Sequence, residues 1–224
     1  MLSAGHLALE VHQAMQTHGG RWLCLLESVT DHRDLELLLL PGAWALLTTR
    51  RASLLQPLGL EAWEYPVRFL TEAETVQVVV RRMGSQWDKH NDLPKARDIY
   101  VLVGGWPLAV GLAASVARSR GWAYLLRRLA DPTRALAVLR VDRGDTPATS
   151  MRLALVETVR GLSPDATALL HRLCGQTANT IGDDEAALAE LCDLGLAEQT
   201  RAGPQIPRLL ALYMAEEPAP PCAL

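Results

Sequence analysis

Two short apolar runs, each ending in polar residues, organise the first third of the chain. Trp22-Leu23-Cys24-Leu25-Leu26 leads into Glu27-Ser28, and Ala43-Trp44-Ala45-Leu46-Leu47 leads into Thr48-Thr49-Arg50. A near-continuous apolar run of this length predicts a strand buried on both faces, as in a parallel α/β sheet. Ligands of such sheets bind beyond the carboxyl ends of the strands, which makes both polar tips candidate ligand positions. Residues 4–18 predict an amphipathic helix with Leu7, Val11 and Met15 on one face, ended by Gly19-Gly20. Residues 33–40 predict a short leucine-rich helix closed by Pro41-Gly42. Residues 63–69 read as a third strand at a sheet edge, because Pro66 argues against a central one. The αβαβ(αβ) rhythm is that of part of a doubly wound sheet.

The pattern then changes period. Thr71-Glu72-Ala73-Glu74 is a capping box, with Thr71 as N-cap and Glu74 three residues on. Val76, Val79, Val80 and Met83 follow at helical spacing, and further helices are expected at about 93–103, 107–119 and 121–130. The polar stretch 142–147 reads as a linker. Ser163-Pro164-Asp165 caps a helix whose stripe is Ala166, Leu169, Leu170, Leu173 and Cys174, and residues 184–194 form a second helix stopped by Gly195. Residues 196–200 and 204–206 pair as a hairpin around Gly203, and a last helix starts at Pro207. The fold class expected is thus α/β followed by all-α. Its divisions are an α/β domain over 1–70, a helical domain over 71–140, a winged-helix-like domain over 150–217 and a tail over 218–224.

Composition narrows the function classes. The chain has 224 residues, 49% of them hydrophobic, and a net charge of -3, which gives no nucleic-acid or anionic-membrane signal. Lys89 and Lys95 are its only lysines, an arginine bias that reflects a GC-rich genome. Cys24, Cys174, Cys192 and Cys222 make no C-x-x-C pair, and Cys24 and Cys174 lie in apolar stretches, as expected of buried thiols in a reducing compartment. No basic segment with a long apolar follower opens the sequence, and the longest apolar helix, 107–117, is too short for a bilayer. A cytoplasmic protein without membrane contact is expected. The histidines do not form a metal set: His6, His12 and His18 fall on different sides of a helix. Helix 184–194, in the position that reads DNA in a winged helix, holds four carboxylates and no lysine or arginine, so no duplex DNA binding is expected.

Four stretches in order carry a family resemblance. Arg21 to Ser28 resembles a Walker B strand, and Leu40 to Arg50 resembles a sensor strand with its T-T-R end. Gly104-Gly105-Trp106-Pro107-Leu108-Ala109 resembles a G-L-P-L-A motif, and Leu162-Ser163-Pro164-Asp165-Ala166 resembles the opening of a winged helix. Over about residues 4–217 the chain is similar to the later two-thirds of an NB-ARC domain, the nucleotide switch of STAND-class signalling ATPases. It is most similar to bacterial regulator versions. The resemblance implies the C-terminal half of a P-loop-type parallel sheet, a helical domain and a winged-helix domain. It implies ADP or ATP with Mg2+ as cofactor. The implied nucleotide contacts are Arg50, which senses a γ-phosphate, Pro107, which lies against the base, and Thr49. Glu27 is the weaker candidate for the Walker B role on Mg2+ or on the attacking water.

Each of these residues also has a plainer reading. Glu27 serves as a solvated carboxylate at the sheet rim, and Arg50 as the ion partner of Glu27 or Asp31. Thr48 and Thr49 satisfy backbone groups at the strand end. Pro107 is a helix opener, and Trp106 is a core residue rather than a cover for the base. Departures from the family pattern favour a second function class. The Walker B acid pair is Glu27-Ser28, Pro207 stands where the family has a histidine, and the family's P-loop portion would lie upstream of Met1. That portion, or a partner protein in its place, is an expected partner. An in-frame G-x-x-x-x-G-K-[S/T] further upstream would restore the full switch. The alternative to a nucleotide switch is a nucleotide-free scaffold for protein–protein contacts. The first 70 residues are expected to be less stable than the rest or covered by a partner, because so few strands leave an open edge.

Overall fold

The computed structural model describes residues 4–18, 20–31, 33, 35, 39, 43–51, 53–54, 63–140, 146–175, 184–201 and 203–216. It is a mixed α/β chain, mostly helical, with a small two-stranded parallel sheet. Two compact units divide it, Met1–Tyr65 with Asp193–Gly195, and Pro66–Cys192 with Leu196–Leu224. Among the described residues no helix is long and apolar enough to cross a membrane.

The first unit holds α1 (Ala4–His18), β1 (Leu23–Val29) and β2 (Trp44–Thr49). The strands pair in parallel, Leu23 with Trp44 through Leu26 with Leu47, and Val29 with Thr49. The expectation of burial on both faces is overturned. Leu23, Leu25, Trp44 and Leu46 are exposed, whereas Leu26 and Leu47 pack with Leu39 against a small core of Val29, Leu35 and Leu54. Among the described residues, the covering layer lies on one side. The expected apolar face of α1 is corrected as well, since Val11 is exposed and Met15 only half-buried; the side chain of Leu7 lies outside the described set. The expected helix over 33–40 falls mostly outside the described residues, where only Arg33 and Leu35 are helical. The strand expected over 63–69 is not formed. Pro66 supplies no N–H to a ladder, and every residue from Trp63 to Phe69 is exposed outside any strand.

The second unit begins with four helices and a short fifth, α2 (Glu72–Met83), α3 (Lys89–Val103), α4 (Pro107–Arg120), α5 (Trp122–Ala130) and α6 (Ala135–Val138). Thr71 and Glu74 form the full capping box at the start of α2. Helix α3 starts earlier than the expected 93, because Asp88 caps it by accepting from the His90 and Asn91 N–H groups. Pro94 is accommodated inside it. Helix α2 packs on α3 and α4, and α4 on α5. The interior of this bundle is aliphatic and small, with Val79, Ile99, Val110, Ala113 and Leu125 fully buried.

The chain then runs through α7 (Met151–Arg160), α8 (Pro164–Cys174), α9 (Glu185–Asp193), an antiparallel hairpin of β3 (Glu198–Thr200) and β4 (Gly203–Gln205), and α10 (Arg208–Glu216). The expected linker over 142–147 lies mostly outside the described residues, and Arg140 and Ser150, which flank it, form a bridge. Ser163 caps α8 by accepting from the Ala166 N–H, and Ala166, Leu169 and Leu170 are its buried stripe. Arg208 locks α10 to the bundle, donating to the Leu102 carbonyl at 2.7 Å and the Leu129 carbonyl at 3.4 Å. Cys24, Cys174 and Cys192 are half-buried free thiols, less enclosed than expected, and Cys222 lies outside the described residues. Burial pushes the Cys174 thiol up to about 11, which makes it a poor nucleophile at neutral pH.

Candidate functional site

Between the pairs Leu26–Leu47 and Val29–Thr49, β1 uses one residue more than β2. Glu27 and Ser28 thus stand opposite Thr48 alone, a bulge of a kind rare in parallel pairs. Ser28 takes a left-handed φ of 57°, the only non-glycine residue with positive φ among the described residues. The extra residue resets the pleat. Leu23, Leu25 and Glu27 lie on the exposed side, and without a bulge Val29 would join them; with it, Val29 turns into the core beside Leu35 and Leu54. The sequence did not reveal this device, because Glu27-Ser28 reads as the end of a strand rather than a kink within one.

Threonine hydroxyls stitch the bulge together. The Ser28 N–H donates to Thr48 Oγ1 at 3.0 Å, in place of the ladder bond that the bulge removes. Thr49 Oγ1 donates to the Val29 carbonyl at 2.8 Å and accepts from the Arg51 N–H at 3.0 Å. Both hydroxyls are thus engaged with backbone, which is the plainer of their two sequence readings. Glu27, Thr48, Thr49 and Arg50 share the carboxyl end of the sheet, with Glu27 and Arg50 exposed. The sheet brings these four together, as the two polar tips imply.

Pro107 belongs to a different construction in the second unit. Helix α3 ends on Gly104 in the left-handed region, whose N–H donates to the Tyr100 carbonyl. Gly105 follows with φ 71°, and Trp106 is the N-cap position of α4, with Pro107 at its first turn. The glycine at 105 is compulsory on two counts. Its φ disfavours a side chain, and a Cβ there would run into the Leu70 carbonyl oxygen. That close approach is held by the Leu70 N–H, which donates to the Gly105 carbonyl at 2.8 Å. The Phe69 ring lies against Trp106 with centroids 5.5 Å apart and planes tilted by 59°. Trp106 is half-buried in this contact, while Pro107 itself is exposed. The segment before α2 is therefore clamped to the α3–α4 turn. Only the glycine pair in the sequence hinted at this approach.

Chemically, the strand-end cluster offers one carboxylate and one guanidinium on a strained bulge, and the α3–α4 turn offers an exposed proline beside an aromatic pair. Among the described residues, no three His, Cys, Asp or Glu groups gather as a metal site. No known protein-family model and no curated protein matches this sequence.

Proposed function

We propose that the chain is a degenerate nucleotide-switch module of the NB-ARC type, from a signalling or regulatory protein, that responds to ADP or ATP with Mg2+ by binding rather than by turnover. The observation that carries this reading is the order of built features along one chain. A parallel strand pair ends in the Glu27–Ser28 bulge and Thr48-Thr49-Arg50, a helical bundle opens α4 with Gly104-Gly105-Trp106-Pro107, and three helices, a hairpin and a last helix follow. We read that last set as a winged helix, which its order of helices and hairpin supports. In this reading Arg50 is the phosphate-sensing cation of the first unit, Thr49 holds the backbone that carries it, Pro107 offers an apolar contact for a base, and Glu27 assists Mg2+. The sequence has no G-x-x-x-x-G-K-[S/T], the loop whose backbone and lysine supply most phosphate contacts in such enzymes. These residues by themselves are therefore expected to bind nucleotide weakly.

A thermal-shift titration with Mg-ADP and Mg-ATP tests this. A saturable rise in melting temperature that Arg50→Ala abolishes is expected. An unchanged melting temperature at millimolar nucleotide would leave the second reading, a nucleotide-free interaction scaffold. One observation favours that alternative: the hydroxyls of Thr48 and Thr49 are engaged with backbone groups.

A further inference from the structure

Among the described residues, nothing covers one side of the β1–β2 sheet. Pleat alternation puts Leu23 and Leu25 of β1 on one face, and the register sets them beside Trp44 and Leu46 of β2. Their exposures are 63%, 65%, 75% and 62%, respectively. The opposite face is the one packed on Val29, Leu35 and Leu54, so the bare side is a separate apolar surface. Together the four side chains present on the order of 500 Å², near the upper end of what a monomer leaves in contact with water. A parallel sheet is ordinarily covered on both faces.

Charge at the two ends of this surface selects what covers it. Leu23, Leu25 and Glu27 share this side of β1, and Arg21 precedes the strand by two residues, so an exposed cation stands before the amino end and an exposed carboxylate at the carboxyl end. The Trp22 carbonyl accepts from the Trp44 N–H at 2.9 Å, the first bond of the Leu23–Trp44 pair, so Arg21 stands immediately before the ladder. A second copy related by a two-fold axis that lies between the two sheets, perpendicular to the strands, sets β1 over β1 running the opposite way. Each Arg21 then meets the other copy's Glu27 across an apolar centre. One short stretch of chain supplies both charges, so the surface is complementary to itself, as a two-fold interface requires. Two such surfaces bury on the order of 1,000 Å², the lower limit for a specific interface.

We propose that this face is a self-association surface. Two copies of the chain pack their β1–β2 sheets face to face through Leu23, Leu25, Trp44 and Leu46, with Arg21 of one copy at Glu27 of the other. The assembly forms in the micromolar range, since its area is small.

Sedimentation equilibrium of the full chain from about 1 to about 200 µM reads this directly. The expected mass rises with concentration from 24.5 kDa towards twice that value. Leu25→Asp, at a side chain already in water, keeps the helical circular dichroism and weakens the dimer by at least about tenfold. Arg21→Glu weakens it by about threefold, and adding Glu27→Arg restores it, because the swapped pair is again opposite in sign. A wild-type chain that stays monomeric, or a dimer indifferent to Leu25→Asp, would overturn the proposal. So would a double charge swap that fails to recover what Arg21→Glu loses.

Discussion

Ser28 shows how one residue sets the local chemistry of the strand end. A left-handed φ costs a residue with a Cβ about 1 kcal/mol or more, and Ser28 accepts that strain inside a strand. The return is Val29, which the extra residue rotates into the core, while Glu27 stays on the exposed side. Glycine has no Cβ penalty at that φ. Ser28→Gly is therefore expected to raise stability by about 1 kcal/mol in urea denaturation, because the bulge keeps its hydrogen bonds. A loss of stability instead would show that the serine side chain holds the bulge. Thr48 and Thr49 explain why the bulge persists, since each replaces or anchors a backbone bond that the irregular ladder cannot make.

At the scale of elements, local signals were legible and coverage was not. The capping box of α2 depends on four consecutive residues, and Thr71 and Glu74 form it as their spacing implies. The strand pair was also legible, but its ends and its faces were not. An apolar run reads as burial on both sides, and nothing within Leu23–Leu26 says whether a second layer exists to cover Leu23 and Leu25. Trp63–Phe69 misled by the same route, since its alternating apolar residues describe a strand only if a partner strand is at hand. The Gly105–Leu70 approach was hidden because it joins residues 35 apart in sequence, which no local pattern encodes. The capping box also makes a pH prediction. The Arg68 guanidinium, the Thr71 N–H and the Thr71 hydroxyl lower the Glu74 carboxyl from 4.5 to about 2. A carboxylate lowered on folding stabilises the native state above its ordinary value, and that contribution is lost as pH falls from about 4.5 through about 2. Glu74→Gln should lower the melting temperature at neutral pH, and the gap to wild type should narrow as pH falls below 4.5. A gap constant with pH would mean that the charge of Glu74 is not what matters.

For the whole molecule, the two units differ in what holds them. Among the described residues, the first unit buries Val29, Leu35 and Leu54, whereas the second buries a run of side chains from Val79 to Met214. A unit with so small a core opens more readily, so amide hydrogens of 23–29 should exchange faster than those of 164–174 in the monomer. That disparity suits a module whose weaker part is completed by a ligand or by a second copy. Hydrogen exchange with and without saturating Mg-ADP, at a concentration where the chain is monomeric, joins both points in one measurement. Added protection is expected at the strand end around 46–51 and the turn around 104–108 alone, on top of the faster basal exchange of the first unit. Exchange that is identical with and without Mg-ADP at both segments would contradict the nucleotide-switch reading and leave the chain a scaffold.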